Sequence, residues 1–280
     1  MIRTVLFLIS LLALNVSFAN GDKPSAICPT LLMFGTDVQC YGQTNGSATV
    51  QVSNGSGDYT ITWSTAVPPI NNWTSTISGL SVGTYTVNVL DNSSGCTATG
   101  AFVVGSPDPI STSEIVTDVL CFGNATGVVN VTTIGGTSPY GFSWTGGSTN
   151  ENLTNVTAGS YTLDIIDVNN CTYSETYTID EPLEALAGSA IVSDALCFGT
   201  GTGEIDLDVW GGTPSYGYVW TSTDFTQDVT GLTTGNYSVT ITDFNNCQLT
   251  LDYFVDQPAA ISATTSFTAV LCYGESTGTA

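Results

Sequence analysis

Two loops of the chain place oxygen-bearing side chains directly before a cysteine, and these residues are the best suited to chemistry. They are Asp167, Asn169, Asn170, Asp243, Asn245 and Asn246, and Asp91 is an earlier counterpart. Oxygen ligands crowded into one loop suit Ca²⁺, although tight calcium sites use several carboxylates and each loop has one. The same residues also form Asx turns that cap a hairpin. A purely structural turn is therefore the favoured interpretation and we predict no cofactor, with calcium as the alternative.

Catalysis finds little support in the composition. The chain of 280 residues has two basic residues, 24 acidic residues and no histidine. The two cations, Arg3 and Lys23, lie at the N-terminus, so the usual general bases, oxyanion stabilisers and phosphate clamps are missing beyond them. A carboxylate pair could run glycoside hydrolysis, but the repeated acids fall at outward strand positions or in turns. We predict that the chain is not an enzyme.

The charge balance also restricts the partners. A formal net charge of −22 leaves no basic surface for phosphates, so we predict no nucleic-acid binding. Anionic membrane surfaces are disfavoured for the same reason.

The N-terminus predicts export. Residues 1–19 combine Arg3, an apolar run from Val5 to Leu14 and a small residue, Ala19, at the expected cleavage point. Residues 20–30 then form a mature N-terminal tail, and no later stretch is apolar enough to span a membrane. We predict a secreted or outer-surface protein without membrane insertion after signal cleavage.

The rest of the chain is repetitive. Cysteines followed by an aromatic residue and glycine recur at 40, 121, 197 and 272, and Pro-containing segments separate the copies. Units of this size match small independent domains. We place repeat 1 at residues 31–109, repeat 2 at 110–186, repeat 3 at 187–260 and the start of a truncated repeat 4 at 261–280.

Export makes disulfides the natural role of the cysteines. The simplest scheme pairs the two cysteines of each repeat, as Cys40–Cys96, Cys121–Cys171 and Cys197–Cys247. Closing a loop of that length stabilises by about 4 kcal/mol in the chain-entropy model. Zinc is the competing ligand, but the chain has no CxxC pair and no histidine. Cys28 and Cys272 have no partner in this scheme.

Period-two alternation of apolar residues dominates every repeat, which is typical of half-buried strands. Six or seven short strands per repeat predict an all-β fold of tandem immunoglobulin-like antiparallel β-sandwiches with one disulfide each. We expect an aromatic strand to bury Trp63, Trp144 and Trp220 in the core. Gly-x-Tyr motifs predict tyrosine corners at Tyr85, Tyr161 and Tyr237.

The motifs of repeat 2 resemble the SprB-type repeat of large cell-surface adhesins from gliding Bacteroidetes. They are Cys121-Phe122-Gly123, Gly135-Gly136-Thr137, Pro139-Tyr140, Trp144, Gly159-Ser160-Tyr161 and Asp167 to Cys171. The resemblance covers residues 31–280 and is most specific in repeats 2 and 3. Repeat 1 departs from it, with Asn54-Gly55-Ser56 at the Gly-Gly-Thr turn.

The resemblance implies type IX secretion and a role in surface attachment or gliding motility. It also implies surface polysaccharide and other cell-surface or secretion-machinery proteins as partners, and it offers no catalytic residues. The favoured function is a surface adhesin or stalk. The alternative is a carbohydrate-binding module array, calcium-dependent or not, within a larger secreted enzyme.

Overall fold

A computed structural model describes residues 27–65, 72–270 and 272–280. The predicted signal at 1–19 and residues 20–26 of the predicted tail lie outside this part. Over the described residues, the structure contains no helix that is long and apolar enough to cross a membrane.

In the described part of the chain, six strands fall to each predicted repeat, and the first of them begins one residue ahead of the predicted start of repeat 1. Repeat 1 contains β1 (Thr30–Thr36), β2 (Gly46–Ser53), β3 (Tyr59–Trp63), β4 (Thr74–Leu80), β5 (Gly83–Asp91) and β6 (Thr97–Val104). Repeat 2 contains β7 (Ser111–Thr117), β8 (Gly127–Ile134), β9 (Tyr140–Trp144), β10 (Leu153–Val156), β11 (Gly159–Asp167) and β12 (Thr172–Ile179). Repeat 3 contains β13 (Ala187–Ser193), β14 (Gly203–Trp210), β15 (Gly217–Trp220), β16 (Val229–Leu232), β17 (Gly235–Thr242) and β18 (Gln248–Val255).

The strands form three pairs of three-stranded sheets with the same topology. The orders are β1-β2-β4 with β3-β5-β6, β7-β8-β10 with β9-β11-β12, and β13-β14-β16 with β15-β17-β18. Neighbouring strands pair antiparallel, as β1 with β2 and β5 with β6. This arrangement corresponds to the A-B-E and C-F-G sheets of an immunoglobulin-like sandwich. The predicted all-β, immunoglobulin-like fold class is confirmed.

The alternation seen in the sequence builds the cores. On β14, Ile205 and Leu207 are buried, while the intervening Glu204 and Asp206 are exposed. They pack with Val239 and Ile241 of β17, in the other sheet of repeat 3, and repeat 1 has an equivalent cluster. Each core is thus made by the inward positions of two sheets, which is what period-two patterning requires.

By contacts, the chain also divides into two compact units. One comprises the residues up to Ile115 with Asn130–Leu153 and Tyr161–Tyr177, and the other comprises Val116–Val129, Thr154–Ser160 and Thr178–Ala280. Every disulfide of the structure lies inside one of these units. The repeat boundaries at 31–109, 110–186 and 187–260 stay a prediction.

The predicted pairing of cysteines within each repeat is wrong. Cys40 bonds to Cys171 and Cys121 bonds to Cys247, with Cα–Cα distances of 5.5 and 5.6 Å. Cys28 bonds to Cys96. Cys197 and Cys272 are free and exposed. The first cysteine of a repeat therefore pairs with the second cysteine of the next repeat, and we call these two bonds the staggered disulfides.

The reason is the path of the chain through the sandwich. Cys40 lies at the end of the sandwich where β5 begins. The Val38 N–H, just before Cys40, donates to Gly105 O at the end of β6. Gly83, the first residue of β5, pairs with Val104 at that same end of β6. Cys96 follows the other end of β5, a nine-residue strand. Such a strand is about 30 Å long, whereas a disulfide requires Cα atoms within about 7 Å. The two cysteines of one repeat therefore lie too far apart to bond.

We expect peptide mapping of the oxidised chain to find Cys40 linked to Cys171 and Cys121 linked to Cys247, with Cys197 open to alkylation. Trypsin has no site between Pro24 and Ala280, so pepsin at acid pH is the suitable protease, and it also suppresses disulfide exchange. A fragment joining Cys121 to Cys171 would contradict the staggered scheme.

Candidate functional site

The loop that carries the second cysteine of each repeat is organised by one buried aspartate. In repeat 3, Asp243 follows β17 and is 4% exposed. Its Oδ1 accepts the N–H groups of Asn245 and Cys247 at 2.9 and 2.8 Å. Its Oδ2 accepts the Thr213 N–H at 2.9 Å. The carboxylate thus ties its own loop to the Gly-Gly-Thr turn between β14 and β15.

Repeat 2 builds the same arrangement around Asp167. Oδ1 accepts N–H groups from Asn169 at 2.8 Å and Cys171 at 2.9 Å, and Oδ2 accepts the Thr137 N–H at 2.9 Å. A buried carboxylate is costly unless hydrogen bonds compensate its lost hydration. In a chain with no cation beyond Lys23, backbone N–H groups supply that compensation.

Repeat 1 uses serine in place of threonine. The Asp91 carboxylate accepts the Ser56 hydroxyl at 2.6 Å and the Ser56 N–H at 2.7 Å, together with the Ser93 and Ser94 N–H groups. The hydrogen bond from the Ser56 hydroxyl is the largest influence on the pKa of Asp91. Together with the Ser56 and Ser94 N–H groups it outweighs the opposing effect of burial and holds this pKa well below its ordinary value of 3.8. Ionised Asp91 therefore stabilises the fold above that value, and the stabilisation is lost as the pH falls through the lowered pKa.

The double glycine is required by the approach of the preceding segment. Gly135 has a φ of 77°, and a Cβ there would lie 2.0 Å from Pro109 O. A Cβ on Gly211 would lie 2.0 Å from Ala185 O. Beside them, Gly136 N–H donates to Asp108 O at 2.8 Å. The Gly-Gly turn is thus where the segment leading into a repeat passes against that repeat.

The first asparagine of each Asn-Asn pair reaches into the previous repeat. Asn245 Nδ2 donates to Thr213 Oγ1 at 2.8 Å and to Leu120 O at 3.1 Å. Asn169 Nδ2 donates to Thr137 Oγ1 at 3.1 Å and to Gln39 O at 3.3 Å. Gln39 and Leu120 each directly precede a first cysteine. Each asparagine therefore joins its own repeat to the previous one by a hydrogen bond beside the disulfide.

The second asparagine has a backbone role. Asn170 and Asn246 have φ values of 62° and 66°, in the left-handed region that asparagine tolerates better than most residues. This conformation turns the chain so that the following cysteine points at the neighbouring repeat.

Together these contacts define two junctions. The first junction comprises Gln39 and Cys40 with Thr137, Asn169 and Cys171. The second junction comprises Leu120 and Cys121 with Thr213, Asn245 and Cys247. A cleft of about 310 Å³ lies beside the first junction, where Tyr41 and Pro107 contribute to its wall.

The sequence-predicted aromatic residues lie away from these junctions. The indole N–H groups of the buried Trp63, Trp144 and Trp220 donate to Ser75 Oγ, Asn150 O and Thr226 O, each at 2.9 Å. Tyr85 and Tyr237 donate to Ser81 O at 3.0 Å and Thr233 O at 2.9 Å, the contact of a tyrosine corner. Tyr161 takes the same position at the start of β11.

Sequence reasoning missed the residues that join the repeats. Gln39 and Leu120 act through their carbonyl groups, which leave no signature in residue type. Thr137 and Thr213 recur after the double glycine, and this recurrence was their one available signal. The aromatic residue after the first cysteine, such as Tyr41 or Phe198, is exposed at 67% and 58%.

Metal ligands are not gathered at these loops. In residues 27–65, 72–270 and 272–280, no three His, Cys, Asp or Glu side chains lie together in a way that could hold a metal ion. The carboxylate oxygens of Asp91, Asp167 and Asp243 instead face N–H and O–H donors. That these loops bind no cofactor stays a prediction, with Ca²⁺ as its alternative.

The comparison with protein families identifies the repeats. The SprB repeat matches residues 35–68, 113–149 and 189–225. The chain is thus built of immunoglobulin-like sandwiches joined at two equivalent junctions, and it is a SprB-type repeat protein. The resemblance drawn from the motifs of repeat 2 is confirmed. No curated protein matches the chain.

Several solved structures are similar to the chain at low sequence identity. The three N-terminal domains of the Highly Immunogenic Outer Capsid protein of bacteriophage RB49 are 12% identical at a TM-score of 0.43, covering 84% of this chain and 100% of that one. The N-terminal eight Ig domains of Down Syndrome Cell Adhesion Molecule are 13% identical at 0.38, covering 83% and 37%. A C-terminal intimin fragment, solved with its receptor domain, is 15% identical at 0.31, covering 62% and 69%. These low scores carry no argument about function.

We expect Asp243→Asn to destabilise repeat 3 by about 1–3 kcal/mol, because its amide NH₂ would face N–H donors in a buried site. Asp206→Asn is the matched control, since it removes the same charge from an exposed position on β14. Urea unfolding followed by tryptophan fluorescence measures both. Equal effects of the two substitutions would show that the buried hydrogen bonds contribute nothing.

We expect the thermal unfolding midpoint to be the same in EDTA and in millimolar calcium chloride. The oxygens that a cation would need already accept hydrogen bonds, and each loop offers one carboxylate where tight sites use several. Magnesium chloride at equal ionic strength controls for screening of the net charge. A midpoint raised by calcium alone would establish a calcium site.

Proposed function

We propose that the chain is part of an extracellular adhesin or stalk, in which SprB repeats are linked covalently to one another and carry no catalytic activity. The observation that carries the proposal is the staggered pairing of Cys40 with Cys171 and Cys121 with Cys247. A covalent bond between two sandwiches prevents them from being pulled apart.

The disulfides also shorten the covalent path along the chain. Force entering at Cys28 crosses to Cys96, follows the backbone to Cys121 and crosses to Cys247. With these bonds closed, the shortest covalent path from Cys28 to Cys247 contains about 25 residues of backbone. Fully stretched, that path is about 85 Å long. Most of the repeat backbone is therefore shielded from tension, which suits a connector under load.

The cell-surface role follows from the SprB resemblance and the predicted export signal. We propose export through the type IX system, a location outside the cell, and a part in attachment or gliding motility. Surface polysaccharide and other cell-surface proteins are the proposed partners. The absence of cations beyond Lys23 supports partners other than nucleic acid.

Exposed aromatic residues support a second candidate, an array of carbohydrate-binding modules in a larger secreted enzyme. Trp73 and Trp210 are 51% and 46% exposed, and such rings could stack on sugars. Binding of the chain to a glycan array, abolished by Trp210→Ala with the fold intact, would favour this candidate over a stalk.

Single-molecule stretching of the chain, held outside Cys28 and Cys247, tests the stalk. We expect Cys121→Ser to lengthen the fully stretched form from about 25 to about 88 residues. Force must then follow the backbone from Cys28 to Cys40, cross to Cys171 and follow the backbone to Cys247. Cys197→Ser is the matched control and should change nothing. An unchanged length in Cys121→Ser would remove the mechanical basis of the proposal.

A further inference from the structure

The loop around Cys197 repeats the construction of the two loops that carry staggered disulfides. Ala195 is buried and its N–H donates to Asp256 O at 2.9 Å. Val38 and Val119 hold the corresponding positions and donate at 3.1 and 2.9 Å to Gly105 O and Asp180 O. The residue two positions before the cysteine is therefore placed against the end of the last strand in the same way in all three repeats.

The turn that follows is also the same. Thr200 N–H donates to Cys197 O at 3.2 Å, as Gln43 does to Cys40 O and Asn124 to Cys121 O, both at 3.1 Å. In addition, the Leu196 N–H is held by Thr202 Oγ1 at 2.8 Å. Leu196 and Cys197 thus form a preorganised loop of the kind found at both junctions.

At both junctions the partner of this loop is the second-cysteine loop of the next repeat. The partner supplies a sulfur to the cysteine and an asparagine amide to the carbonyl before it. At the third loop the Cys197 thiol is free and exposed, and Leu196 is 78% exposed. Two occupied equivalents in the same chain therefore define what the third one would bind.

We propose that Leu196 and Cys197 form a docking site for the Asp-x-Asn-Asn-Cys loop of another SprB repeat. Cys197 bonds to the cysteine of that loop, and the Leu196 carbonyl accepts the amide N–H of its first asparagine. Cys272 is not the partner, because it is itself a first cysteine and no asparagine stands two residues before it. The site thus extends the staggered scheme beyond repeat 3.

The bond forms by oxidation of two thiols. Each sulfur loses a proton, and the pair gives two electrons to a small-molecule disulfide such as oxidised glutathione, which is reduced to two thiols. The reaction proceeds through a mixed disulfide, so an exposed Cys197 is suited to begin it.

The test appends a second-cysteine loop to the full chain. Residues 206–260 are appended after Ala280, since Ala280 lies eight residues after Cys272 as Ile205 lies eight after Cys197. After refolding with oxidised glutathione, we expect Cys197 to be linked to the grafted copy of Cys247. Changing the grafted copy of Asn245 to Ala should lower the yield of this link, and Cys197→Ser should leave the grafted cysteine open to alkylation. A grafted cysteine bonded to Cys272 would overturn the proposal.

A second measurement does not depend on folding of the graft. The peptide Thr242–Thr250, activated as a mixed disulfide with thionitrobenzoate, is offered to the chain carrying Cys272→Ser, so that release of the chromophore reports attack by Cys197. We expect Cys197 to capture it at least about threefold faster than the same peptide carrying Asn245→Ala. The ratio should fall to one in urea. Equal rates in the native chain, with no link in the graft, would refute the site.

This inference rests on the staggered disulfides and not on the adhesin role. Failure of the docking test would leave the stretching behaviour of the existing repeats unchanged. Failure of the stretching test would leave the chemistry of Cys197 as proposed.

Discussion

The separation of the two cysteine positions to opposite ends of each sandwich is the constraint on which the rest of the structure depends. The first cysteine follows the first strand, and the second follows the fifth strand at its far end. A disulfide cannot span such a distance, so the two cysteines of one repeat cannot bond to each other. Cys40 and Cys121 bond instead to the second cysteine of the next repeat, and Cys96 bonds to Cys28 ahead of β1.

The two junctions share one geometry, which shows how the paired cysteines are brought into position. A buried aspartate gathers the N–H groups of its own loop and of the Gly-Gly-Thr turn. The threonine of that turn holds an asparagine amide, and the amide reaches the carbonyl before the previous repeat's cysteine. The aspartate positions the threonine, the threonine positions the asparagine amide, and the amide brings the two cysteines of the junction together. Asp167 and Asp243 have no cationic partner, so hydrogen bonds from backbone N–H groups compensate for the hydration that these carboxylates lose on burial.

Repeat 1 departs from this arrangement in its second-cysteine loop. Its loop reads Asp91-Asn92-Ser93-Ser94-Gly95-Cys96, without the asparagine two residues before the cysteine. Cys96 bonds to Cys28, which precedes β1 and lies at the end of the sandwich opposite Cys40. Cys28 thus bonds to the second cysteine of repeat 1, as the first cysteine of the previous repeat does at each junction. The predicted divergence of repeat 1 has this physical meaning.

The sequence by itself determined the class of fold, the number of repeats and the location of the inward-facing residues, because period-two alternation and turn residues are local properties. It also singled out Asp167, Asn169 and Asn170 and their counterparts as a loop site. It did not show that the carboxylate, the amide and the backbone of these residues join one repeat to the next. Only the tertiary structure decided the disulfide partners. Equal spacing along the chain says nothing about which end of a sandwich a loop occupies, and that depends on the antiparallel path of β5 and its neighbours. The acceptor carbonyls of Gln39 and Leu120 were equally hidden, since every residue has a carbonyl and position alone makes these two important.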